Sequence, residues 1–133
     1  MNKKIKIFDL SEQYKSISKE VDKNVLNILK SGQYILGGNV GELETKFSNF
    51  IGSKYSVSCN SGTDALILSL RALNIGHGDE VITTPFTYFA TAEAIVLVGA
   101  KPIFVDINPH TFNINYKNIE KHINKRTKAI MPV

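Results

Sequence analysis

Between Tyr55 and Leu73 the chain reads Y-S-V-S-C-N-S-G-T-D-A-L-I-L-S-L-R-A-L, and no other stretch restricts the possible folds as sharply. A short β-prone run (Tyr55, Val57, Cys59) stops at Asn60-Ser61-Gly62-Thr63-Asp64, and a helix-forming run begins at once. Strand, tight polar turn and helix without a spacer are the start of a βα unit. The first N–H groups of such a helix lack intrahelical partners and face the crevice at the strand's carboxyl end. An anion fits there: Gly62 allows close backbone approach, Ser61 and Thr63 carry hydroxyl donors, and the helix dipole favours a phosphate. The same residue types are also ordinary helix N-caps, which is the plainer reading of the turn.

The rest of the chain supplies the context. Tyr14, Ile17, Val21, Val25, Ile28 and Leu29 recur at helical spacing and predict a first helix over Ser11 to Ser31, with Gly32 as its C-cap. The segment from Gly32 to Asn39 carries Gly32, Gly37 and Gly38 and reads as irregular, either a plain connector or a place of close approach to a ligand. Leu43, Phe47, Phe50 and Ile51 predict a second amphipathic helix over Gly41 to Ile51, ended by Gly52. After the helix at Gly62, residues Asn74 to Asp79 form a turn. A strand follows at Val81 to Thr84, then a nearly all-apolar helix from Thr87 to Val98 that must be buried on most sides. Pro102 to Val105 is the next strand, with Asp106 at its polar end. A loop with Pro109, a helix near Tyr116 to Ile123 and a strand from Ala129 to Met131 complete the series.

Alternating strands and helices of this kind predict an α/β fold of three layers, a mainly parallel sheet flanked by helices. The strands are continuously apolar, as strands buried on both faces are. The division expected is an N-terminal helical segment over 1–53 and the first βαβ units of a larger domain over 54–133. Binding residues should gather at the carboxyl ends of the strands, at Ser61 to Asp64, Pro85 to Tyr88 and Asp106.

Composition removes several classes. The net charge of +4 comes from scattered Lys, densest at Lys3, Lys4 and Lys6 and at Lys121, Lys125, Arg126 and Lys128. No basic stripe with interleaved aromatics marks a nucleic-acid surface. Asp9 and Glu12 interrupt the N-terminal apolar run before it becomes a signal sequence, and no apolar run reaches bilayer length, so a cytoplasmic protein without membrane association is expected. Cys59 is the single cysteine and reads as a small core residue. His77, His110 and His122 lack metal-ligand spacing, so no metal site is expected. Asp79-Glu80 resembles an acid/base pair, but its place at a strand start points to turn chemistry. The Gly32 to Asn39 segment is no nucleotide-triphosphate loop, since no Gly-Lys-Ser/Thr follows.

Five segments together resemble the DegT/DnrJ/StrS family of sugar aminotransferases, pyridoxal-phosphate enzymes of the aspartate-aminotransferase fold type. They are S-G-Q-Y-I-L-G-G at 31–38, S-G-T-D-A-L at 61–66, G-H-G-D-E-V-I-T at 76–83, P-F-T-Y-F-A-T-A at 85–92 and G-A-K-P-I-F-V-D-I at 99–107, and the likeness continues into T-K-A-I-M-P-V. The resemblance implies that Gly62, Thr63 and Asp64 hold the phosphate of pyridoxal 5'-phosphate through backbone N–H groups and the Thr hydroxyl. It implies that Tyr88 stacks on the pyridine ring, whereas spacing alone would make Tyr88 a core aromatic of an apolar helix. Tyr34, Gly37 and Ser61 would lie near a nucleotide-sugar substrate. The resemblance further implies glutamate as amino donor and a homodimer with the active site at the subunit interface.

One part of the family pattern is missing. The Lys that forms a Schiff base with the cofactor, and the Asp that pairs with its ring nitrogen, lie in such enzymes beyond the residues present here, so no catalytic residue is assigned. The Lys residues present read as solvated ammonium groups. Ile130-Met131-Pro132-Val133 stops within what reads as a buried strand, so the chain is expected to be the N-terminal third or so of a longer enzyme. The rival readings are a dehydratase of the same family and a non-catalytic α/β module that binds phosphate or a partner chain.

Overall fold

The computed structural model describes residues 6–133 and contains two compact units, one ending at Ser58 and one running Cys59–Val133. The basic residues Lys3 and Lys4, and the start of the expected 1–53 segment, lie outside the described residues.

The first unit carries helices α1 (Ser11–Ser31) and α2 (Gly38–Ile51). α1 has the predicted bounds and stops because Gly32 takes a left-handed φ of 68°, from which its N–H donates to Ile28 O at 3.2 Å. α2 begins three residues before the predicted start at Gly41. Gly37 is extended as N-cap and its carbonyl accepts from Val40 N–H at 3.0 Å, which draws Gly38 and Asn39 into the first turn. First-turn N–H groups have no intrahelical partner in any case, so the weak helix formers cost little there. No residue of α1 is buried within the structure.

The second unit holds helix α3 (Gly62–Ala72), strand β1 (Glu80–Thr83), helix α4 (Ala90–Leu97), strand β2 (Lys101–Phe104), the short helix α5 (Tyr116–Ile119) with a 3-10 turn at Glu120–His122, and strand β3 (Thr127–Ile130). The sheet is parallel, in the order β2-β1-β3, with Val81 opposite Pro102 on one side and Ala129 on the other. Helices flank this parallel sheet, as the α/β class requires. β1 is the central strand and all four of its residues are buried, Val81 and Ile82 as expected of a strand covered on both faces. Pro102 is tolerated because β2 pairs with β1 alone among the described strands. Leu70 of α3, Ile75, Val81 of β1, Ala94 and Ile95 of α4, and Ala100 form the core.

Two expectations are corrected. The β-prone run at 55–59 pairs with no strand among the described residues, and Val57 is 82% exposed. Its tie to the fold is local: Ser58 N–H and Ser58 Oγ both donate to the Glu44 carboxylate of α2 at 2.8 Å. β propensity records fit to a neighbouring pleated strand, and without one it yields only extended chain. The helix predicted over 87–98 begins only at Ala90, and it buries one face. Ala90, Thr91, Ala94 and Ile95 are inside while Val96 and Leu97 are exposed, because α3 and the sheet meet it from that face.

Candidate functional site

α3 packs against α4, which in turn packs on β1 and β2. The C-terminus of α3 leads through the short turn Asn74–Asp79 into the start of β1, so its N-terminus at Gly62 lies toward the carboxyl edge of β1. The same edge emits the loop Thr84–Phe89 that leads into α4, and α3 and α4 pack together. The parallel topology thus brings the Gly62 turn and Tyr88 to one edge of the second unit.

The turn is built on Ser61, which is extended at φ −154° and ψ 159° and caps α3. Its Oγ accepts from Asp64 N–H at 3.1 Å and donates to the Asp64 carboxylate at 3.1 Å, and its carbonyl accepts from Ala65 N–H at 3.1 Å. The Ser61 hydroxyl and the Asp64 amide, both expected to face a ligand, are therefore engaged with each other. This is the N-cap reading of the turn, and it arises because a serine at this position closes a ring with the third helical N–H at no strain. Among the described residues Gly62 N–H and Thr63 N–H have no hydrogen-bond partner, nor does the Thr63 hydroxyl. Nothing lies within 4 Å of where a Gly62 side chain would start, so the fold itself does not demand glycine there. The turn thus leaves two amides and one hydroxyl without a partner among the described residues, at the positive end of a helix dipole.

Tyr88 stands in the loop before α4 and is 83% exposed. It is not the core aromatic that helical spacing suggested, because the helix starts two residues later. Its backbone is held: Tyr88 O accepts from Thr91 N–H at 3.1 Å and the Thr87 and Thr91 hydroxyls bond at 2.8 Å. Tyr34 and Gly37 belong to the first unit, where they line a concavity of about 370 Å³ with Asn24, Asn27, Gln33 and Asn39. Tyr34 Oη donates to Leu29 O at 3.0 Å across the end of α1.

Residues set aside in the sequence also find places. Asp106 caps its own loop, its carboxylate accepting from Ile107 N–H at 2.8 Å. Asp79 closes the turn before β1 by accepting from Gly76 N–H at 3.0 Å. Glu80 is no turn residue. It is 2% exposed, paired to Arg126 Nη2 at 2.6 Å and bonded by Asn124 Nδ2 at 2.7 Å, and it ties the start of β1 to the start of β3. A hydrophobic strand written E-V-I-T, with its acid at the first position, was the available signal. The displaced titrations lie elsewhere: the Lys6 ammonium, with Ser11, holds Asp9 down to about 2, and Ser58 lowers Glu44. Both are surface contacts of the first unit.

The profile of the DegT/DnrJ/EryC1/StrS aminotransferase family matches residues 15–133. The chain belongs to that family. Among its relatives, the UDP-2-acetamido-2-deoxy-3-oxo-D-glucuronate aminotransferase of Pseudomonas aeruginosa is 50% identical over 97% of this chain and 36% of its own length. The crystal structure of S. venezuelae DesV superposes with a TM-score of 0.92 at 36% identity, over 96% of this chain and 34% of that one. NtdA from Bacillus subtilis, solved with bound cofactor PMP, gives a TM-score of 0.87 at 32% identity, over 98% and 31% of the two chains. This family member therefore spans about a third of the length of the relatives it matches. Among the described residues no helix is long and apolar enough to cross a membrane.

Proposed function

We propose that this chain supplies the phosphate socket and one ring contact of a pyridoxal 5'-phosphate aminotransferase that converts a keto group of a nucleotide-linked sugar to an amine. The observation that carries the reading is the pair of amides at Gly62 and Thr63, unpartnered among the described residues, toward the same sheet edge as the exposed Tyr88. Family membership and the sugar-aminotransferase names of the relatives support it.

The donor set fits the group. Two N–H groups and a hydroxyl at a helix N-terminus match a phosphate dianion, and a flat exposed aromatic matches a heterocycle. Asp64 adds a negative charge to the first turn, but its carboxylate accepts from Ser61 and its amide is capped, so in this reading it shapes the turn and leaves phosphate contact to Gly62 and Thr63. The cofactor, when bound, supplies an electron sink for charge developed on the carbon next to the amine. The chain's own part is to anchor and orient. Gly62 and Thr63 donate to phosphate oxygens, Ser61 holds the turn in shape, and Tyr88 fixes the plane of the ring. The Lys that would bind the cofactor covalently is sought outside these residues. A nucleotide sugar bound near Tyr34 and Gly37, glutamate as donor, a homodimer and a cytoplasmic setting complete the reading.

The test is an amide-resolved NMR titration with pyridoxamine phosphate, pyridoxamine and inorganic phosphate. The Gly62 and Thr63 amides should shift with both phosphate-bearing ligands and stay put with pyridoxamine. Equal shifts with pyridoxamine, or none with any ligand, overturn the proposal.

A further inference from the structure

Phe112 is the one bulky aromatic among the described residues with a left-handed backbone, at φ 59°. A residue of this size takes that conformation only when its surroundings impose it. The loop after β2 does so. Phe112 N–H donates to Asn108 O and Asn108 N–H to Asn113 O, both at 2.8 Å, while the Asn108 side chain accepts from His110 N–H at 2.8 Å. Ile107 and Ile114 close the base of the loop as an antiparallel bridge. Glycine or asparagine would occupy the position without strain, so the backbone gives no reason for phenylalanine.

The ring does give one. Phe112 stacks on Phe86 with centroids 5.8 Å apart and planes at 29°, although the two residues are 58% and 60% exposed. Such a pair fills no core. It joins the loops that leave two adjacent strands of the sheet, where Val105 N–H donates to Thr83 O at 2.8 Å. Phe86 lies two residues before Tyr88, in a loop otherwise held by Phe86 N–H to Thr84 Oγ1 at 3.2 Å and by the Thr87–Thr91 bond beyond. Among the described residues the Tyr88 side chain makes no hydrogen bond or ring stack, so its hold on the fold is through its backbone.

We propose that the Phe86–Phe112 stack is a brace between the loops after β1 and β2, and that Phe112 acts as a positioning residue for Tyr88. The link to a bound ring rests on the proposed function; the brace does not. In the intact protein without ligand, Phe112→Asn removes the ring at a residue that favours the left-handed backbone, so the melting temperature holds. Hydrogen exchange over residues 85–89 should then quicken about fivefold, the scale of one aromatic pair. Phe112→Tyr, which keeps the stack, should restore it. Phe86→Leu should loosen residues 108–113 in turn, and the double variant should exceed neither single one. In the same variants pyridoxamine phosphate should bind about fivefold more weakly to Phe112→Asn while inorganic phosphate binds as to the wild type.

Unchanged exchange at 85–89 in Phe112→Asn, or additive effects in the double variant, overturns the brace. If Phe112→Asn unfolds, the Phe86→Leu and Phe112→Tyr measurements decide alone. Equal weakening for inorganic phosphate overturns the positioning role. Wild-type protein that fails to bind pyridoxamine phosphate defeats the proposed function, while the ligand-free exchange still decides the brace.

Discussion

The two ends of one short parallel sheet treat polar groups in opposite ways. At the amino end of β1, the Glu80 carboxylate is buried and answered by Arg126 and Asn124, and Glu80 N–H donates to Arg126 O at 2.8 Å. Toward the carboxyl end, Gly62 N–H, Thr63 N–H and the Thr63 hydroxyl have no partner among the described residues, and Tyr88 is exposed. A buried charge must be satisfied within the chain or the fold is lost, whereas exposed donors at a helix end are satisfied by water until a ligand replaces it. The first end therefore serves stability and the second is free to serve binding.

The strongest challenge to that contrast is Arg126→Met. It leaves Glu80 buried with Asn124 as its remaining side-chain partner, and we expect a loss of about 3 kcal/mol in urea unfolding with pyridoxamine phosphate affinity unchanged once folded. A comparable loss of affinity would erase the division between the ends. Thr63→Val is the converse. It removes one donor to a charged phosphate and should weaken pyridoxamine phosphate about tenfold by calorimetry while leaving the unfolding midpoint in place. Ser61→Ala separates cap from ligand contact at a single residue. Loss of the cap should cost about 1 kcal/mol of stability, with binding reduced far less than in Thr63→Val.

The smallest effect sharpens the contrast with a polar group that is satisfied but exposed. Ser58 N–H and hydroxyl lower the Glu44 pKa, so this contact stabilises the folded form above the ordinary glutamate range and is lost as pH falls through the lowered folded value. Exchange of the Ser58 amide should rise only at that acid end, and Glu44→Ala should abolish the dependence.

Legibility in the sequence followed the range of the interactions. Gly32 ended α1 where the spacing of Ile28 and Leu29 said it would, because cap and helix lie within a few residues of each other. The run at Tyr55 to Cys59 looked like a strand and is not one, since a strand exists only with its neighbour. Tyr88 looked like part of a helix because apolar periodicity continues through the loop into α4, and only the fold shows where the turn ends. Ser61 was legible as either a cap or a ligand contact, and in the fold it caps α3 through its bonds to Asp64.

The amino acids alone determined the order of elements after Ser61, the helix stops at Gly32 and Gly52, the place of the polar turn at Ser61 to Asp64 and the family, because those depend on local chemistry and contiguous motifs. Tertiary structure alone decided that Glu80 is an internal ion partner, that Tyr88 is exposed, and that Phe86 and Phe112 meet. The two pairings join residues 26 or more positions apart, and the parallel crossover decides what is brought together and what is left uncovered.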